Sequence, residues 1–452
     1  MKRIFIVILS CLLLLPLAAC TRGSIGENSA APVTAEPVTD EPSVHFSDHS
    51  YNRETDFNKL LAANGNRSSL FETEDVYYWQ AEDDAYLRYA EKDGSDFGVV
   101  CGRPECVHDN GNICDGSKQC DGYAPSMSFL WMTEGKIWYL NTELWKEYRN
   151  ACAVIFCMDP DGTNKELVKP VPKPKTVYGD YSAVQYFCFH RGVLYIFAYG
   201  GYINDDLEPI QPFLVFAFTL DSEEPELIYD SGEGIHEGSI FPSGEFLYIE
   251  DHTWNRAGEH SDKLLRRSAV TGETEILYEG SDLNWIARYW VDEEGNVYTQ
   301  DEWTEENGSK NVLRLNNGVW EKAFDFEDPD ISYSIRSLSD GVVIARSHIV
   351  YHGPLDPDIV IWVKRYDGST VYKGKLPMAW LGEFTGQGMT LEHASLVCGN
   401  ENELFCEFEL NKRNASRSNE PESRVLIKYV FTEYGIEEIF LGNNYSEIVR
   451  NW

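Results

Sequence analysis

The chain has 452 residues, a formal charge of −36 at neutral pH, and 13% aromatic residues, with 26 tyrosines. A field of that sign repels phosphate backbones and anionic headgroups, which argues against nucleic acid as a partner. The aromatic content favours strands over helices, and the length calls for two domains or one repetitive architecture.

Residues 1–19 have the layout of a signal peptide. Lys2 and Arg3 precede an almost wholly apolar run from Ile4 to Leu15, and Pro16 breaks that run. The stretch is too short to span a membrane and ends in small residues ahead of a cut site. Leu17-Ala18-Ala19-Cys20 resembles the lipobox of bacterial lipoproteins. That resemblance implies cleavage before Cys20, a lipid on its thiol, and anchoring to the extracytoplasmic face of the cell membrane. The alternative is an ordinary secretory leader with a chance cysteine. Loss of Lys2 and Arg3 takes the mature chain to −38. Residues 20–50 then form the lipidated N-terminus and a disordered tether, because a Pro-, Ala-, Thr- and acid-rich segment cannot bury enough apolar surface to offset its ordering entropy.

From residue 51 to 452 one short pattern recurs: a turn residue, a spacer, then an apolar residue beside aromatics. It stands at Asp75, Gly135, Gly192, Gly244, Gly295, Gly341 and Asn402. A second turn series alternates with it at Gly94, Gly162, Gly272, Gly318, Gly368 and Gly435, and the third repeat uses residues 222–225 instead. Two apolar runs around a tight turn make a hairpin, and two hairpins per unit of ~50 residues make a propeller blade. The fold class expected is all-β, a β-propeller of seven blades with four antiparallel strands each. A pair of β-sandwiches is the competing architecture.

Four cysteines and a histidine crowd into residues 101–120. Cys101, Cys106, His108 and Cys114 suit a structural zinc ion, since thiolates and imidazole on an irregular loop are tetrahedral zinc ligands. Disulfides among Cys101, Cys106, Cys114 and Cys120 are the rival, permitted outside the cytosol. Four protein ligands would leave no open position for catalysis. Cys188, Cys398 and Cys406 sit among apolar residues as small core groups. His252 and His260 fall within one expected loop, His348 and His352 within another, where exposed histidines are ordinary. No catalytic residues emerge: no nucleophile triad, phosphate loop or dinucleotide fingerprint stands in a supporting context.

The lipobox, the degenerate aromatic repeats and the run Cys101-Gly-Arg-Pro104-Glu-Cys106-Val-His108 together resemble the propeller lipoproteins of many Gram-positive gut-type bacteria. What the resemblance implies is a surface-displayed propeller; it brings no assigned activity. If both turn series lie at one end of the strands, the second-to-third connections lie at the other, expected at 141–150, 199–213, 251–262, 301–310, 347–359 and 411–423. Long loops on a rigid scaffold are where binding resides. They carry Trp145, Tyr148, Tyr202, Trp254, Trp303 and Tyr351, which suit a protein, peptide or glycan ligand. The expected function is therefore a non-catalytic binding or scaffolding module. A glycan hydrolase or lyase using carboxylates at the propeller centre is the alternative.

Overall fold

The structure, a computed structural model, describes residues 69–80, 86–106, 108, 120–124, 130–133, 135–142, 148, 150–175, 183–203, 209–254, 259–281, 289–292, 294–301, 311–327, 334–338, 342–346, 358–412 and 423–443. Among these residues the strands pair into seven four-stranded antiparallel sheets and one two-stranded ribbon. The four-stranded sheets span 69–99, 130–172, 183–230, 235–280, 290–325, 334–375 and 389–443. Each is a meander, with strands adjacent in sequence paired in space. The ribbon, Tyr202–Ile203 with Pro209–Ile210, lies within the second-to-third connection of the third sheet. A short helix, Leu381–Thr385, precedes the last sheet.

The described glycines of both series stand in hairpin turns, and Gly341 lies outside the described residues. Gly135, Gly192, Gly244 and Gly295 stand between first and second strands, and Gly94, Gly162, Gly272, Gly318, Gly368 and Gly435 between third and fourth, all at positive φ. That region of backbone space is open to glycine and costly to residues with a Cβ. In a four-strand meander these two connections share one end of the sheet. The remaining connections share the other end.

Apolar side chains of each sheet pack against the next. Phe71 and Tyr78 of the first sheet meet Ile137 and Tyr139 of the second, and Trp131 of the second stacks on Phe189 of the third at 4.5 Å. Phe213 meets Ile249 between the third and fourth sheets, and Tyr248 meets Tyr289 between the fourth and fifth. Trp290 meets Ile335 between the fifth and sixth, and Ile361 meets Phe408 between the sixth and seventh. Tyr77 and Trp79 of the first sheet then pack on Phe405 and Leu426 of the seventh. The last sheet thus closes on the first, and the fold is an all-β propeller of antiparallel four-stranded blades. Each buried large side chain contributes about 1.5–3 kcal/mol of transfer free energy, and the fourth strands, such as Thr274–Gly280, are the most exposed.

A feature with no place in the simple repeat recurs in six of these sheets. The third-to-fourth strand register slips at Ile155/Phe156, Val215/Phe216, Leu264/Leu265, Val312/Leu313, Val363/Lys364 and Leu426/Ile427. In each the fourth strand carries one extra residue: Val168, Ile228, Leu277, Ala323, Val371 or Leu441. A bulge raises the local twist of its strand. The outer hairpin can then lean on the preceding sheet. Lys169 of the second sheet donates to the carbonyls of Leu220 and Ser222 in the turn of the third, and Gly368 of the sixth packs on Phe324 of the fifth. Across the closure, Gly94 of the first sheet packs on Phe440 of the seventh.

Candidate binding face and thiol cluster

The strands of the fourth sheet run further than expected. The second is Phe246–Trp254 and the third is His260–Ser268, so the connection is 255–259 and not 251–262. Likewise the second strand of the last sheet runs to Lys412, and the third begins at Ser423. His252 and His260 are therefore strand residues. His252 is 2% exposed, which corrects its assignment to a solvent-facing loop. The cause is a polar core at this end of the sheet that replaces apolar pairing with hydrogen bonds.

That core has two faces, because alternate side chains of a strand point oppositely. On one face Asp251 joins the third and fourth sheets. Its Oδ1 pairs with Nδ1 of His236 at 2.7 Å, and its Oδ2 accepts from the hydroxyl of Tyr229 at 2.5 Å. Thr253 Oγ1 lies 3.2 Å from the same imidazole nitrogen. Burial pushes the Tyr229 phenol well up, and the Asp251 carboxylate adds to that. On the other face His252 Nδ1 meets Asp262 Oδ1 at 2.7 Å, and Nε2 of His252 is buried without a hydrogen-bond partner among the described residues. His260 Nε2 stands 3.8 Å from Asp262 Oδ2. Glu250 accepts from Ser239 Oγ at 2.5 Å and from the backbone N–H of Tyr289 at 3.0 Å. Burial pulls the His252 pKa down, but the carboxylates of Asp262, Glu250 and Asp251 more than reverse this and leave it raised.

Trp254 caps this core. Its half-buried ring lies 5.5 Å from His260, and its indole N–H is buried with no acceptor among the described residues. Tyr148 is half-buried at the same end of the second sheet, and Tyr202 begins the ribbon of the third. Trp145, Trp303 and Tyr351 lie outside the described residues, as do Cys20, His348 and His352. Sequence reasoning missed His236, Asp251, Tyr229, Glu250 and Asp262. The signal available was Glu-Asp-His directly continuing the apolar run Phe-Leu-Tyr-Ile, with His-x-Asp opening the next strand.

The cysteine cluster lies where the first sheet leads into the second. Cys101, Cys106, His108 and Cys120 each present a ligand atom, all within 4.8 Å of one another. His108 Nδ1 is 3.2 Å from Cys120 Sγ. All three cysteines are free thiols. Cys114, the fourth ligand expected from sequence, lies outside the described residues, and among those described Cys120 completes the group. The N–H of Cys106 closes a turn onto the carbonyl of Arg103 at 3.1 Å. Arg103 grips Asp121 through Nε and Nη2, both at 3.0 Å, which holds the two ends of the segment together. Lys165 donates to the carbonyls of Asp121 and Tyr123. Burial lowers its pKa to about 8, against the pull of Asp121 and Cys120. Burial also raises the Cys120 thiol, with Cys101 beside it adding to the shift. Cys188, Cys398 and Cys406 are buried thiols in the core.

No protein-family model matches this chain, and no curated protein does. Among solved structures it is similar to a prolyl endopeptidase, at 12% identity and a TM-score of 0.47, over 85% of this chain and 51% of that one. It is similar to an ulvan lyase, a polysaccharide lyase bound to -[GlcA(1-4)Rha3S]-, at 12% identity and 0.44, over 87% and 98%. It is also similar to the β-propeller domain of the Trilobed protease from Pyrococcus furiosus, at 11% identity and 0.42, over 86% and 98%. The chain spans about half the length of the endopeptidase.

Proposed function

We propose that the chain is a lipid-anchored binding propeller on the extracytoplasmic face of the membrane, with seven blades in one ring. Its ligand is a protein, peptide or glycan, taken up at the end of the strands that carries Trp254. The observation that favours binding over catalysis is the state of the buried carboxylates. Among the described residues these are Glu250, Asp251, Asp262 and Glu407. Each is engaged by the chain itself: Ser239 and Tyr289 hold Glu250, Tyr229 and His236 hold Asp251, His252 holds Asp262, and Arg424 holds Glu407 at 2.7 Å. A hydrolase or lyase needs a carboxyl group free to exchange a proton with substrate. Carboxylates held in this way instead stiffen the scaffold under the loops; of their oxygens only Asp262 Oδ2 is buried without a hydrogen-bond partner among the described residues, with His260 Nε2 3.8 Å away.

The test is capture from intact envelopes, comparing wild type, Trp254→Ala and Tyr434→Ala. Tyr434 is 92% exposed in a third-to-fourth turn, at the opposite end of its sheet. Trp254→Ala is expected to lose at least tenfold in captured ligand, the size of a ~1.4 kcal/mol contact, with Tyr434→Ala unchanged. Loss through Tyr434 with Trp254→Ala unaffected would refute the assigned face. In parallel, Cys20→Ala is expected to leave the membrane fraction; full retention there would remove the anchor from the reading.

A further inference from the structure

The geometry points to a zinc site that we propose is formed by Cys101, Cys106, His108 and Cys120, three thiolates and one imidazole around a single Zn²⁺ ion. A tetrahedral zinc with Zn–S near 2.3 Å and Zn–N near 2.0 Å separates its ligand atoms by roughly 3.5–3.8 Å. The four ligand atoms already stand within 4.8 Å of one another, so closing them round the ion needs movements of about an ångström or less. His108 is held at φ +49, a backbone state uncommon for a residue with a Cβ. In that position its Nδ1 faces Cys120 across the cluster.

Two further observations fit a bound cation and not a disulfide. A bridge between any two of Cys101, Cys106 and Cys120 would leave the third of them and the imidazole without a task, and a second bridge would have to take Cys114, which lies outside the described residues. Charge also balances. Binding expels three thiol protons to solvent and leaves the Cys₃His centre with one net negative charge. Arg103 and Lys165 both lie near enough to Cys101 to interact with it electrostatically, Arg103 also with Cys106 and Lys165 also with Cys120. The soft donor set selects zinc over magnesium or calcium, and four protein ligands leave no open position, which makes the site structural. Its role is to fasten the segment after the first sheet. Cys101 and Gly102 pack on Gly162 and Thr163 in the third-to-fourth turn of the second sheet, and Leu87 donates to the carbonyl of Gly122. The ion thereby locks two neighbouring sheets through one loop.

The experiment is metal analysis and native mass spectrometry of the full chain purified from membranes in detergent, with zinc as the probe. Wild type is expected to carry one zinc per chain. Cys114→Ser is expected to keep it, and Cys120→Ser to fall below a tenth of that occupancy. Should Cys120→Ser fail to fold, alkylation of the wild type decides: Cys101, Cys106 and Cys120 are expected to react at least tenfold faster once a chelator is added. Two reductant-sensitive bridges with no metal would overturn the proposal, as would zinc retained by Cys120→Ser but lost in Cys114→Ser. Thiols that alkylate at the same rate with and without chelator would overturn it as well.

Discussion

His252 carries a titratable group into the core of a strand and keeps it there with carboxylates on its own and the adjacent strand. Its folded pKa lies above the ordinary value of about 6.5, so the folded state binds this proton more tightly than the unfolded chain. The stability it contributes is fully present below about pH 6.5 and is lost as pH rises through the raised value. Wild type is therefore expected to show a urea midpoint that falls between about pH 6 and about pH 8. His252→Gln, which can still donate to Asp262 but cannot be charged, is expected to flatten that slope. Equal slopes in the two proteins would remove His252 from the account. The same residue shows why this site was hard to read in the sequence. His252 and His260 are separated by residues that look like loop, and nothing local says that Asp251, His252 and Asp262 stay in register as a polar pairing. The cysteine cluster was visible from spacing, which does not by itself fix its fourth member. Whether Cys114 or Cys120 returns to Cys101 depends on how the chain reverses between residues 106 and 120, and spacing does not encode that.

The hairpin turns were the most legible elements, because a glycine at positive φ is a local requirement. Two of them separate conformational cost from contact. At Gly318 a Cβ would meet nothing within 4 Å, whereas at Gly162 it would lie 2.7 Å from backbone atoms of Cys101. Gly318→Ala is expected to cost about 1–2 kcal/mol, the penalty of the left-handed region for a side chain. Gly162→Ala is expected to cost clearly more, because that backbone cannot yield without moving the thiol cluster. Urea midpoints at unchanged m compare the two, and equal losses would show that the contact at Gly162 is slack. The recurrent bulge was not foreseen, since strand patterns assume a strict alternation. Its signal is present all the same. Leu227-Ile228-Tyr229, Ile276-Leu277-Tyr278, Ala323-Phe324 and Val371-Tyr372 place apolar residues side by side in otherwise alternating fourth strands, and the extra one sits at the slip.

At the scale of the whole molecule, alternation of the two turn types indicated a propeller, but how the ring closes was beyond the reach of a repeat pattern. Among the described residues no strand passes from one end of the chain to the other: the first sheet uses residues 69–99 and the last 389–443. Among these residues closure is made by side chains. Lys428 of the last sheet donates to the hydroxyl of Tyr77 in the first at 2.7 Å and pairs with Glu403 at 2.9 Å, beside Phe405 and Leu426. Removing one member of such a partly buried group typically costs about 1–3 kcal/mol. Lys428→Ala is expected to lose that much, with amide protection falling in the first and last sheets together. Loss confined to the last sheet would mean that the seam carries little of the stability. Closure of this kind also sets an order of events. Every described sheet is made of consecutive residues and can form as soon as its own segment is available, whereas among the described residues the apolar flank of the first sheet, with Tyr77 and Trp79, is covered by the final strands. The chain therefore matures like a necklace whose clasp is made last. The interval before it fastens is when exposed apolar surface is most open to association with other chains.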